Sequence, residues 1–280
     1  MTTEKDIFKR GSTTYYFSSL FFPKSIKEDV FKLYSFVRVA DDYVDATPAE
    51  VANFKNLRKL WEQSVQDTSF DTNVHSSDDI NVRVVRNMVF VTRKYNFKHA
   101  WVTSFLDSMQ ADLDKKQYKK IEDTIWYMYG SAEVIGLMMA KIMGIPEKSF
   151  KYAQMQGRAM QYINFVRDIA EDNTLKRQYF PASELKKFGL KNLSQKTVEA
   201  NKAEFCAFLR AQIDLYNQWQ TEANKGFAFI PKRLRIPLQT ATDMYNWTAQ
   251  KIYQNPALVF DKKQKPSKYR VLFTIVKNTL

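Results

Sequence analysis

Ile26, Val30, Leu33, Val37, Ala40 and Val44 recur at alternating steps of four and three, the spacing that lines one face of an α-helix with apolar side chains. Moved by one residue, the same register reads Tyr34, Arg38, Asp41 and Asp45. That polar row lies about 100° round the helix from the apolar one. It flanks the packed face instead of opposing it, a position suited to the wall of a cavity.

A second row of the same kind lies some 120 residues further on, in Gln161-Tyr-Ile-Asn164-Phe-Val-Arg167-Asp168-Ile-Ala-Glu171-Asp172. A helical pattern opens near Pro146, and Gln161, Asn164, Asp168 and Asp172 then share one face at steps of three, four and four. The same face continues backwards through the small residues Gly157 and Ala153, and Tyr162, Ile163, Val166, Ile169 and Ala170 cover its flanks. Carboxylates on such a face need a counter-charge, because an unpaired buried carboxylate is very costly. Lysine, arginine or a hard cation would supply it.

Both rows offer oxygen ligands, with no histidine or cysteine beside them. Carboxylates one helical turn apart suit Mg²⁺, which keeps several waters and shares its shell with substrate phosphates. Taken singly, each row reads equally well as a solvated acidic helix end, since Asp and Glu are mostly exposed. Taken together, with Arg38, Asn164 and Gln161 on the same faces, a site is the better reading.

Arg38-Val-Ala-Asp41-Asp42-Tyr-Val-Asp45 and Gln161 to Asp172 closely resemble the two aspartate-rich motifs of the squalene and phytoene synthases. The resemblance extends to Tyr127-Met-Tyr129-Gly130-Ser-Ala-Glu-Val-Ile-Gly136 and Arg177-Gln-Tyr179-Phe-Pro181, and runs from about Gly11 to Phe260. It implies an all-α helical bundle of the isoprenoid synthase type around a central cavity, formed by residues 1–280 as one domain. It implies head-to-head joining of two prenyl diphosphates through a cyclopropyl diphosphate, with release of diphosphate. In that chemistry Asp41, Asp45, Asn164, Asp168 and Asp172 hold Mg²⁺, with Mn²⁺ as a substitute, and Arg38, Gln161 and Arg177 orient the leaving group. Tyr34 and Tyr15 offer aromatic faces to a carbocation. Tyr245 resembles a family tyrosine near the site. Ser12, Thr13, Thr14 and Tyr15 stand where the family has Ser-x-Ser-Phe, commonly with a lysine between the serines, so Ser12 and Thr14 are phosphate-contact candidates. The block from Tyr127 to Gly144 looks more like phytoene than squalene synthases, which favours two geranylgeranyl diphosphates and phytoene. Farnesyl diphosphate giving squalene, with NADPH, or dehydrosqualene is the alternative. A non-catalytic relative acting in binding or assembly would be expected to lose motif aspartates, and all are present.

Other features bound the remaining choices. No linker or repeat divides the 280 residues, so a single domain is expected. The net charge of +13 suits anionic partners. It comes with no nucleic-acid signature and is spread along the chain, so no nucleic-acid partner is expected. One cysteine, Cys206, permits a reducing compartment. No run reaches the roughly 20 apolar residues of a membrane span, and Glu4, Lys5 and Asp6 leave no signal-peptide core. A cytoplasmic location is expected, with peripheral membrane contact through the basic tail of Lys262, Lys263, Lys265, Lys268 and Arg270. Oligomeric state is not legible.

Local signals add further expectations. Ser25-Ile26-Lys27-Glu28 reads as a capping box, and Thr47-Pro48-Ala49-Glu50 as a helix start with proline in the first turn. Asp112 reads as an ion-pair partner of a nearby lysine, or less readily as site-facing. A line of Ala132, Gly136, Ala140 and Gly144 would admit either a close helix or a long ligand. A helix from about Thr197 to Lys225 would stop at Gly226.

Overall fold

The computed structural model describes residues 4–11, 19, 22–115, 117–261 and 263–279. Every extended element among them is helical, and one isolated bridge joins Gln117 to Gln178. In chain order the helices are α1 (Glu4–Gly11), α2 (Lys24–Asp45), α3 (Val51–Gln66), α4 (Ile80–Tyr95), α5 (His99–Asp114), α6 (Ile121–Met128) and α7 (Val134–Ile142). There follow α8 (Phe150–Arg167), α9 (Ile169–Thr174), α10 (Ala182–Lys187), α11 (Gln195–Ala200), α12 (Lys202–Asn224), α13 (Lys232–Gln254), α14 (Leu258–Asp261) and α15 (Lys268–Thr279).

Two apolar cores flank the middle of the bundle. In the first, Val30, Leu33, Ala40 and Val44 of α2 are buried with Phe54 and Trp61 of α3, Val84 and Met88 of α4 and Phe105 of α5. Each Val, Leu, Met or Phe side chain among them contributes about 1.5–3 kcal/mol when fully buried. Asp29 is also buried here, and Lys94 Nζ at 2.6 Å and the Tyr95 hydroxyl at 2.6 Å donate to it, fastening α2 to α4. In the second core, Tyr162, Ile163 and Val166 of α8 meet Phe208, Leu209, Ile213 and Tyr216 of α12. The Tyr162 hydroxyl donates to Gln212 at 2.5 Å, and that of Tyr216 to Asn246 on α13 at 2.6 Å.

Small residues bring α7 and α8 together. A Cβ on Gly136 would lie 2.3 Å from the Ala153 carbonyl oxygen, and one on Gly157 would lie 2.4 Å from that of Ala132. The two helices therefore run antiparallel at backbone contact. Ala132 and Gly136 thus serve close packing, while Gly144 leaves the row: it has φ +67 and ends the helix in open space. Between α6 and α7, Tyr129–Glu133 forms a π-helical turn, with the Val134 N–H bonded to the Tyr129 carbonyl. Gly130 in that turn sits against the Ser104 carbonyl of α5, where a Cβ would lie 2.1 Å away.

Several expected helix starts are different in the structure. Pro23 is the N-cap of α2, with no side-chain cap, so Ser25 lies inside the first turn. Pro48 precedes α3, whose N-cap is Glu50. Gly226 does not terminate α12 in a left-handed turn. It lies in a 3₁₀ turn, Lys225–Phe229, where a Cβ would come 2.7 Å from Tyr152 Cβ. The helix expected from Thr197 is broken at Asn201 into α11 and α12.

Candidate active site

Between the two cores lies a cavity of about 930 Å³. α2 and α8 both run along it, with Asp41 and Asp45 at the C-terminal end of α2, Asp168 at the C-cap of α8 and Asp172 in α9, which follows it. Helix carbonyls carry partial negative charge there, which favours cations. Tyr34, Arg38, Asp41, Asp45, Gln161, Asn164, Asp168, Asp172, Arg177 and Tyr245 all line this one cavity. Ser12, Thr13, Thr14 and Tyr15 lie outside the described residues. Much of the remaining lining is apolar, including Phe22, Val30, Ala140, Met143, Ile145, Ile230 and Leu238.

Arginine supplies much of the counter-charge. Arg38 pairs with Asp41 at 2.8 Å and with Asp42. Arg167 holds Asp168 with two bonds, at 2.8 and 2.6 Å. Arg177 is buried and donates to Asp45 at 2.5 Å and to the Val44 carbonyl at 2.7 Å. Its guanidinium therefore ties the segment after α9 to the end of α2. Lys263 reaches Asp168 at 3.2 Å and also pairs with Glu171.

Among the described residues the carboxylates still outnumber the cations. Asp41, Asp45, Asp112, Asp168, Glu171 and Asp172 line the cavity against Arg38, Arg167, Arg177, Lys263 and Lys265. Burial, then the neighbouring Asp45, pushes Asp41 up to about 7, against the pull of Arg38. About a third of the Asp41 side chain is accessible, but what it faces is the cavity and not open solvent. Burial, then Asp168 and Asp112, raises Asp172 well above the usual carboxylate range. The Asn164 Oδ1 atom is buried and accepts no hydrogen bond.

Among the described residues, no three acidic, histidine or cysteine side chains are gathered closely enough to hold an ion as they stand. The chemistry of the donor set nevertheless fits a hard divalent cation. The candidate ligands are all oxygens, two carboxylates are raised by burial and by neighbouring carboxylates, and one amide oxygen is unpartnered.

Sequence reasoning misjudged Asp112 and missed its neighbours. No lysine pairs with it; burial and two tyrosines define it. Tyr127 and Tyr179 hydroxyls each donate to its carboxylate at 2.7 Å, and Arg177 Nε lies 4.0 Å away. Burial pushes Asp112 up to about 6, opposed first by Arg177. Tyr179 stacks on Phe165 of α8 at 4.3 Å, so this cluster stiffens the wall behind the second acidic row. Tyr127 and Tyr179 stood in quoted motifs, and that was their only signal. Lys263 and Lys265, read as part of a basic tail, instead line the cavity beside its acids.

The comparisons with known proteins agree with this geometry. The sequence profile of the squalene/phytoene synthase family matches residues 8–270. The chain is 26% identical over 256 residues to a 15-cis-phytoene synthase of Pantoea ananas, covering 91% of this chain and 82% of that one. It is 25% identical over 286 residues to a 15-cis-phytoene synthase of Synechococcus elongatus, covering 97% and 89%. A crystal structure of a dehydrosqualene synthase in complex with ligand has the same fold, with TM-score 0.82 at 24% identity over 98% of this chain and 93% of that one. A squalene synthase from Alicyclobacillus acidocaldarius shares it at TM-score 0.70 and 19% identity, over 90% and 92%. With two acidic rows facing one cavity, and a profile match over nearly its whole length, the chain belongs to the squalene/phytoene synthase family.

Proposed function

We propose that this chain joins two prenyl diphosphates head to head, taking two geranylgeranyl diphosphates to phytoene through a cyclopropyl diphosphate and releasing diphosphate. The observation that carries this reading is that two acidic rows distant in sequence line one cavity whose remaining walls are largely apolar. Fifteen residues of α8 and its continuation separate Ala153 from Asp168 along the cavity, a rise of about 22 Å at ~1.5 Å per residue. A long isoprenoid chain fits that span with its diphosphate among the acids.

Asp41, Asp45, Asn164, Asp168 and Asp172 would hold Mg²⁺, which would neutralise the diphosphate as it leaves. Arg38 would donate charge-assisted hydrogen bonds that strengthen as negative charge develops on the leaving group. Arg177, fixed to Asp45 and Val44, would position that end of α2. The apolar lining excludes water, which would otherwise capture the allylic cation as an alcohol. Tyr34, stacked on Phe8 at 3.9 Å, presents its ring edge or face to that cation from a fixed position. Proton loss from the final cation gives phytoene, and no reductant is needed.

The similarity in fold to a dehydrosqualene synthase favours a second reading within the same chemistry, with farnesyl diphosphate as substrate. Incubation with Mg²⁺ and either geranylgeranyl or farnesyl diphosphate, with and without NADPH, separates the two by the hydrocarbon formed. Phytoene from geranylgeranyl diphosphate without NADPH supports the main reading. Dehydrosqualene from farnesyl diphosphate alone, or squalene only with NADPH, replaces it.

A further inference from the structure

The four most exposed large apolar side chains among the described residues are Tyr269, Phe273, Leu272 and Val276, at 86%, 72%, 57% and 54%. All lie on α15, and their spacing puts them on one face. The opposite face is well seated. Val271 and Ile275 are buried against Met244 of α13, and Asn278 donates to Asp243 at 3.0 Å. The helix is thus held to the body by one side and presents an apolar stripe outward that no other described residue covers.

Charge indicates what covers it. Lys263 and Lys265 line the cavity, whereas residues 268–280 contain Lys268, Arg270 and Lys277 and no acidic residue. Arg270 and Lys277 are exposed on α15 itself, and Arg270 lies 5.0 Å over the Trp247 ring. An apolar stripe bordered by cations is the pattern of a helix lying in an anionic lipid surface. A second copy of the chain fits poorly, because it would bring two cationic faces together on a protein of net charge +13. Position points the same way. Lys265, Pro266 and Ser267, which immediately precede α15, line the cavity, as does Met244 beneath it.

We propose that α15 is a membrane-docking helix that sets the cavity against an anionic bilayer, with Tyr269, Leu272, Phe273 and Val276 entering the lipid. The surface goes beyond the reaction proposed above, and the test uses no substrate, so either can fail alone. The full chain is sedimented with vesicles of phosphatidylcholine alone or mixed with phosphatidylglycerol. Binding is expected at least tenfold tighter to the anionic vesicles, and lost near 1 M salt, where attraction is screened within ~3 Å. Leu272→Ser with Phe273→Ser should weaken binding at least tenfold. Arg270→Gln and Lys277→Gln should each weaken it about fivefold. The thermal melt and the turnover of detergent-dispersed substrate should stay unchanged in all of them. Equal binding by wild type and the Leu272/Phe273 variant, or no binding of wild type to either vesicle, overturns the proposal. So does a wild-type dimer in sedimentation that this variant dissolves, which would assign the face to a second copy.

Discussion

Asp112 shows at single-residue scale how burial and function conflict. Its carboxylate is raised from an ordinary value of 3.8 to about 6, so the folded protein takes up a proton at higher pH than the unfolded chain does. The penalty for ionising it is absent below about pH 4 and fully present above about pH 6. Asp112→Asn removes the ionisation, so the stability of wild type relative to this variant should fall by about 2 kcal/mol between pH 4.5 and 7.5. Denaturant unfolding at the two pH values measures it, and a difference that does not change with pH would contradict the assignment. Asn164 makes a second case, because its buried Oδ1 has no donor. Asn164→Ala should raise the Mg²⁺ concentration for half-maximal turnover by about tenfold or more, with little change in the melt. An unchanged Mg²⁺ titration would remove Asn164 from the ligand set. The site faces of α2 and α8 were legible because helical period alone decides which side chains share a face. The partners of Asp112 were not, since Tyr127 and Tyr179 lie 15 and 67 residues away and only the tertiary fold joins them.

At the scale of elements, the antiparallel crossing of α7 and α8 fixes the distance between the cavity walls. Gly157→Ala places a methyl 2.4 Å from the Ala132 carbonyl, so the helices must separate. Overpacking of this kind costs about 1–3 kcal/mol, and a lowered thermal midpoint is expected. A midpoint equal to wild type would mean that the crossing is looser than described. Of the two helices in this crossing, α8 was expected from near Pro146, and it runs from Phe150. Helix ends were harder to read. Ser25 and Glu28 had the pattern of a capping box, yet Pro23, which cannot extend the helix backwards, fixes the start of α2. The π-helical turn at Tyr129–Glu133 left no trace in the spacing. Gly130 within it packs closely against α5, and only packing shows that contact.

At the scale of the whole molecule, the fold is a division of labour between two cores and the space they enclose. The cores hold α2 and α8 so that both acidic rows line one cavity whose remaining walls are largely apolar. No helix among the described residues is long and apolar enough to cross a membrane. The all-helical architecture was legible through the resemblance that the two acidic motifs carry. The role of the basic tail was not, because Lys263 and Lys265 look like any solvated run until the fold returns them to the cavity. The central claim is that the two acidic rows act on one diphosphate. Diphosphate release from geranylgeranyl and farnesyl diphosphate, measured for wild type, Asp41→Asn and Asp168→Asn, tests it most directly. Each variant should lose at least about a hundredfold in rate, the scale of removing one electrostatic stabiliser, while keeping a cooperative melt. Release within a few-fold of wild type in either folded variant would show that the two rows do not share the work.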